Sequence, residues 1–222
     1  MWIQSLWNSG QFGPALVISW IAWVIVSITM HELAHGWVAI RRGDTTPIDT
    51  GHMTWNPLVH MGPWSLIMLL LVGIAWGAMP VDPTRIRGRH GEALVLIAGP
   101  AMNLLLAILA FIGLALWEPI AARAGVQDPL LSNFVWFFKT GVMLNIVLML
   151  FNLLPVPPLD GGRILAHYSR GFASFVYSPN GQWITFGAFL LVFLLVGRQI
   201  FAVGFALVEI GEAIVRLILP AP

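Results

Sequence analysis

The apolar positions of this chain fall in long runs separated by short polar patches. Three runs reach the roughly 20 residues that a helix needs to cross a bilayer: Pro14 to Ile40, Glu92 to Trp117 and Leu130 to Leu154. A fourth region, Trp183 to Leu219, is long enough for two crossings broken near Gly197-Arg198. The run Trp64 to Met79 is short, interrupted by Gly73 and Gly77, and bounded by Pro63 and Pro80. The pattern predicts an all-α polytopic membrane protein with about five transmembrane helices, within a range of four to six.

Basic residues decide how the short run is read, because cytoplasmic loops collect Lys and Arg. If Trp64–Met79 dips into the membrane and returns, Arg41, Arg42, Arg85, Arg87, Arg89, Arg163, Arg170 and Arg216 share the inner side. Arg123 and Arg198 then lie outside, with Lys139 near the outer end of its helix. That asymmetry predicts a re-entrant segment and an external N-terminus, and a re-entrant backbone needs protein or water around it. The stretch "GDTTPIDTGHMTWNPLVHMGP" is rich in turn-forming residues and alternates briefly at Gly51 to Trp55, so a small membrane-associated β-hairpin or loop is expected there. The largest polar gap, Pro155 to Gln182, has no room for a soluble domain. Residues 1–222 therefore read as one membrane domain, with a core over about 14–170 and a C-terminal helical region over 183–219.

Composition agrees with this picture. Of 222 residues 58% are hydrophobic and 9% charged, where a soluble domain carries about 25% charged residues. A net charge of +1 offers nothing to nucleic acid, and the lipid bilayer is the expected surrounding. Having no cysteine excludes thiolate metal sites and a cysteine nucleophile, leaving His and carboxylates as the strong metal ligands. The opening "MWIQSLWNSGQFGP" has no basic residue, and the run behind it is about twice the length of a signal-peptide core, so no cleaved leader is expected.

Against that background "HELAH" at residues 31 to 35 is costly, since one acidic residue at mid-bilayer costs about 2.5–3.5 kcal/mol on insertion scales. His31 and His35 lie one helical turn apart on one face, so both imidazoles can reach one ion. In H-E-x-x-H hydrolases the intervening glutamate, here Glu32, serves as general base. A catalytic zinc takes a third protein ligand. Asp160 is the candidate: it follows a helix halted by Pro155, Pro157 and Pro158, and Gly161-Gly162 permit a tight turn that points its carboxylate inward. Its bland alternative is a cap for a helix starting near Gly162. The first span and Leu130–Leu154 run in the same direction, so His31, His35 and Asp160 reach the same half of the membrane.

Together "HELAH", "AGPAMN" at 98–103 and "NLLPVPPLDGG" at 152–162 resemble the site-2 protease family of intramembrane zinc metalloproteases, in its compact type without PDZ or CBS domains. The resemblance covers about residues 14 to 170. It implies one catalytic Zn2+ held by His31, His35 and Asp160, with Glu32 as base and Asn152 holding substrate backbone. It also implies single-span membrane proteins as substrates and a multi-pass protein of the prokaryotic plasma membrane. Relatives often carry Asp where this chain has Gly62. Gly99, Pro100 and Asn103 read first as close helix packing, with Asn103 a secondary candidate for substrate binding. His52 and His60 could tune the metal but need no such role, and His90 and His167 need none.

Rival readings are weaker. A metal-ion transporter would want polar residues on several spans. A di-iron oxidase would want a second E-x-x-H, and a serine protease a G-x-S motif on a span. A catalytically silent scaffold would have no use for Glu32. Substrate identity, trigger and oligomeric state are not encoded in any motif.

Overall fold

The structure, a computed structural model, describes residues 13 to 218. The expectation about a leader falls on residues 1–12 and lies outside them. The elements are α1 (Gly13–Arg41), α2 (Thr46–Asp49), α3 (Pro57–Val72), α4 (Gly91–Arg123), α5 (Leu130–Asn152), α6 (Asp160–Tyr168), α7 (Arg170–Val176) and α8 (Pro179–Ile218). Among the described residues four helices, α1, α4, α5 and α8, are long and apolar enough to cross a membrane. With its several apolar helices the chain is a multi-pass membrane protein. The core is built where α1, α4 and α5 meet: Trp23, Val24 and Ile28 pack with Leu106 and Ala110 and with Val142, Met143, Leu144 and Val147. Ile200 and Val208 of α8 join from one side.

Two expectations change. The C-terminal region is one uninterrupted 40-residue helix, not two spans. No proline lies between Asn180 and Ile218, and a single Gly197 costs a helix only about 1 kcal/mol relative to Ala. Phe189 and Phe193 pack on Phe151, and Gly204 lies against Met143 and Val147. Arg198 is thereby bracketed beside the last turns of α5, at the Asn152 end, and not at the opposite end with Arg123. Lys139 pairs with Glu212 at 2.6 Å, tying α5 to the far part of α8.

The hairpin expected at Gly51–Trp55 is absent, since no strand occurs among the described residues. Pro47 favours a first helical turn, and the backbone satisfies itself locally: Thr50 N–H donates to Thr46 O, Gly51 N–H to Ile48 O and His52 N–H to Pro47 O. Those groups leave no ladder for a partner strand. The loop is held by Asp44, which is completely buried and accepts from Thr46 N–H at 2.9 Å, from the Thr46 hydroxyl, and from Asp82 N–H at 2.8 Å. Burial disfavours the carboxylate, but these donors outweigh it and hold its pKa below the ordinary 3.8. A depressed folded-state pKa gives stability that is present above the unfolded value and lost as pH falls through the folded one. Protection of the Thr46 and Asp82 amides against hydrogen exchange should therefore be constant above about pH 5 and fall below about pH 4. Asp44→Ala should lower it at neutral pH by roughly ten- to a hundredfold, the effect of losing hydrogen bonds to a charged group worth about 1.5–3 kcal/mol.

The short run Trp64–Met79 forms part of α3 and then reverses. Asn56 caps α3 by accepting from Leu58 N–H at 3.1 Å, and Gly73 closes it in the left-handed conformation. Beyond Gly73 the chain returns without helix: Ser65 Oγ donates to Trp76 O at 2.7 Å and accepts from Trp76 N–H at 2.8 Å, and Ala78 N–H donates to His60 O. Trp20 Nε1–H on α1 donates to Gly73 O at 3.1 Å, pinning the reversal to the bundle. Pro63 disfavours helical backbone at the residue before it, and α3 kinks there with Gly62 at φ 67°, ψ 167°. That conformation is nearly confined to glycine. A side chain at 62 would have open space, so Gly62→Ala isolates backbone strain. It should cost about 1–3 kcal/mol, read as a lower midpoint of thermal unfolding in detergent.

Candidate metal centre

Two elements deliver the polar groups. His31, Glu32 and His35 lie in the second half of α1, and Asp160 is the first residue of α6. Each of the four is only 7% exposed. Gly161 and Gly162 press against the backbone of Leu153, Leu154 and Val156-Pro157, where a Cβ would collide. That contact folds the proline-rich turn tightly enough to turn Asp160 back toward α1. Asp160 makes no capping bond, and Leu159 occupies the cap position.

The side-chain atoms converge. His31 Nε2 and His35 Nε2 are 3.0 Å apart, and Asp160 Oδ2 lies 3.2 Å from the first and 3.5 Å from the second. The other imidazole nitrogens are engaged: His35 Nδ1 lies 2.7 Å from Val95 O, and His31 Nδ1 lies 2.7 Å from Asn103 Oδ1. A carbonyl oxygen can only accept, so the rings carry their protons on Nδ1 and turn bare lone pairs inward. Asp160 Oδ2 is buried without a hydrogen-bond donor. Three lone pairs facing one another repel, and a cation resolves the conflict. Tetrahedral zinc with bonds of about 2.0–2.1 Å holds its ligand atoms about 3.3 Å apart, which matches the observed triangle. The donor set, two imidazoles and a carboxylate, is one that zinc accepts.

Glu32 stands beside this group without belonging to the triangle. The returning segment after α3 packs directly on it: a Cβ at residue 77 would lie 2.7 Å from Glu32 Oε1 and 2.7 Å from Ile28 Cγ2. On the other flank Gly99 of α4 lies against the imidazoles, 2.5 Å from His35 Nε2 for a Cβ built there. The expected close packing of Gly99 is thus packing on the metal-facing rings themselves.

Asn103 is fully buried, with its oxygen toward His31 and its amide nitrogen donating to Asn145 Oδ1 at 3.1 Å. Its oxygen and its amide nitrogen are thus engaged with His31 and Asn145, the contacts of a residue that supports His31. Asn152 is half-buried on the last turn of α5 and donates to Leu148 O. His60 sits in the first turn of α3, with Nε2 2.7 Å from Thr54 O, and packs edge-on against His52. Neither reaches the triangle. His167 contacts Glu92 at 2.8 Å and Arg89 O at 3.1 Å, and His90 contacts the Tyr168 hydroxyl, so both fasten α6 to the start of α4.

The residue that sequence reasoning missed is Asn145. It lies two helical turns before Asn152 on the same face of α5, completely buried, and is the one polar side chain in the apolar stretch 141–151 of that helix. Its isolation was the available signal, because an unpartnered amide in lipid is costly.

Comparison with known proteins agrees with the geometry. The family model for peptidase family M50 matches residues 19–130 and 118–195. YwhC of Bacillus subtilis strain 168, named as a candidate zinc metalloprotease, is 43% identical over 160 residues, 68% of each chain. Two proteins named Rip2, likewise candidate zinc metalloproteases, are 30% identical in Mycolicibacterium smegmatis and 31% in Mycobacterium tuberculosis H37Rv. These alignments cover 79% and 87% of this chain but 66% and 70% of the relatives, so the chain spans about two thirds of their length. No solved structure matches the chain. A match over most of the sequence, joined to the three motifs and the buried His-His-Asp triangle, establishes that the chain belongs to peptidase family M50, the site-2 protease family.

Proposed function

We propose that this protein is an intramembrane zinc metalloprotease that hydrolyses peptide bonds within or near the transmembrane segments of single-span membrane proteins. The observation that carries this reading is the convergence of three buried lone-pair atoms with a carboxylate, Glu32, beside them. His31, His35 and Asp160 hold the zinc, which when bound supplies Lewis acidity toward a peptide carbonyl. Glu32 accepts the proton of the attacking water and passes it to the leaving amine.

A peptide bond inside a helix is masked by its own hydrogen bonds, so the substrate unwinds locally and its freed backbone groups need partners. Asn152 supplies one. Strand addition is open to the returning segment at Ile74–Pro80, which is non-helical and touches Glu32 through Gly77. The reversal at Gly73, and the length of α3, support the re-entrant reading. With α8 a single helix, Arg198 joins the side toward which α1 and α5 run while Arg216, one turn beyond the Glu212 that pairs with Lys139, moves to the other side, so the excess of basic residues keeps its size. That excess supports an external N-terminus, and the bacterial origin of the relatives supports a prokaryotic plasma membrane.

The test is incubation of the purified, zinc-loaded protein with detergent-solubilised single-span proteins, comparing wild type with Glu32→Gln by mass spectrometry. New fragments from wild type alone, with cuts in or beside the span, are the expected result. Zinc binding without any cleavage would give the silent-scaffold reading precedence.

A further inference from the structure

His31 reaches α5 through a relay of two amides, and we propose that Asn145 is a positioning residue that fixes which imidazole nitrogen of His31 carries the proton. The proposal rests on the reading of His31 as a zinc ligand. An asparagine amide is nearly symmetric in shape, so only its neighbours decide which end presents N–H and which presents oxygen. Asn103 has two neighbours of ambiguous polarity, because His31 can donate or accept at Nδ1 and Asn145 can donate or accept through its own amide. The ambiguity ends one residue further on. Asn145 Nδ2 lies 2.9 Å from Gly141 O, a main-chain carbonyl that can only accept.

That carbonyl orients every link. Asn145 must turn its nitrogen to Gly141, so its oxygen faces Asn103 and accepts from Nδ2 at 3.1 Å. Asn103 then turns its oxygen to His31, and His31 Nδ1 must be the protonated nitrogen at 2.7 Å. The lone pair is left on Nε2, the atom that faces His35 and Asp160. His35 needs no relay because Val95 O does the same in one step. Both amides of the relay are 0% exposed, so water does not compete for either. Without an acceptor at 145 nothing opposes rotation of the Asn103 amide, and the rotated form favours the tautomer whose Nε2 is protonated, donates to Asp160 Oδ2 or His35 Nε2 and cannot ligate.

Three variants test this. Asn145→Leu removes the acceptor. Asn145→Thr retains a bond to the carbonyl four residues back, as Thr140 makes to Trp136 O, but is too short to reach Asn103. Asn145→Asp keeps an acceptor toward Asn103 in either charge state and, when neutral, also donates to Gly141 O. The first readout is nitrogen NMR of histidine-labelled, metal-free protein, with the His31 signals assigned by substitution. The second is zinc affinity by chelator competition.

Wild type and Asn145→Asp should show His31 protonated at Nδ1 and bind zinc within about threefold of each other. The Leu and Thr variants should populate the other tautomer and lose about 10–100-fold in zinc affinity, as removal of groups that support a ligand does. If Leu fails to fold, Thr alone decides. A wild-type tautomer and affinity in either the Leu or the Thr variant overturns the proposal, as does an Asp variant as impaired as Leu, which would mark a packing role. Because the NMR readout uses metal-free protein, a wild type that binds no zinc would defeat the functional reading while the relay is still judged on tautomer alone.

Discussion

Glu32→Gln yields a folded protein that retains its zinc and cleaves at least about 100-fold more slowly than wild type. The substitution is isosteric, so the close contact with Gly77 is preserved. It leaves the triangle of His31, His35 and Asp160 untouched, because Glu32 is not one of its three members. What it removes is the capacity to take a proton, a function typically worth 10²–10⁴ in rate. Zinc content by elemental analysis and cleavage by mass spectrometry, on one preparation, check both halves. Undiminished cleavage would remove Glu32 from the mechanism. Loss of zinc together with activity would make it a ligand rather than a base.

Asp160→Asn acts on the opposite half of the site. It replaces an anionic ligand with a neutral amide, so zinc affinity should fall by more than the 10–100-fold that follows loss of a merely supporting partner. The metal-free protein responds differently. In wild type three acceptor atoms confront one another within 3.0 to 3.5 Å. An amide N–H at position 160 can donate to one of the imidazole lone pairs and relieve that conflict. The thermal midpoint of metal-free Asp160→Asn should therefore equal or exceed that of metal-free wild type, while the rise produced by added zinc disappears. A carboxylate whose task was capping α6 would behave in reverse, lowering the midpoint with or without zinc. Thermal scans with and without zinc separate the two.

The parts of this protein that could be read in advance are those where the membrane makes chemistry expensive. "HELAH" was legible because imidazoles and a carboxylate inside an apolar helix demand a reason, and Asp160 because prolines and glycines around it announce a forced turn. Elements whose shape depends on partners were harder to read. The alternation at Gly51–Trp55 is a strand signal only if a second strand exists, and here Pro47 and Asp44 close the loop on itself. The length of α8 was obscured by Gly197-Arg198, which looks like a break in one dimension, yet α5 packs alongside on both sides of it. Asn145 escaped because no motif contains it. Its meaning exists only in three dimensions, where α4 brings Asn103 to it and His31 lies beyond.

Two sides of the candidate metal site are bare main chain, contributed by Gly77 against Glu32 and by Gly99 against the imidazoles. A surface without side chains can be narrowed by mutation but never widened, since nothing remains to trim. If the site cleaves peptides as proposed, preference among residues is tuned elsewhere, because a side chain added at either glycine meets Glu32 or the imidazoles before it meets anything bound there.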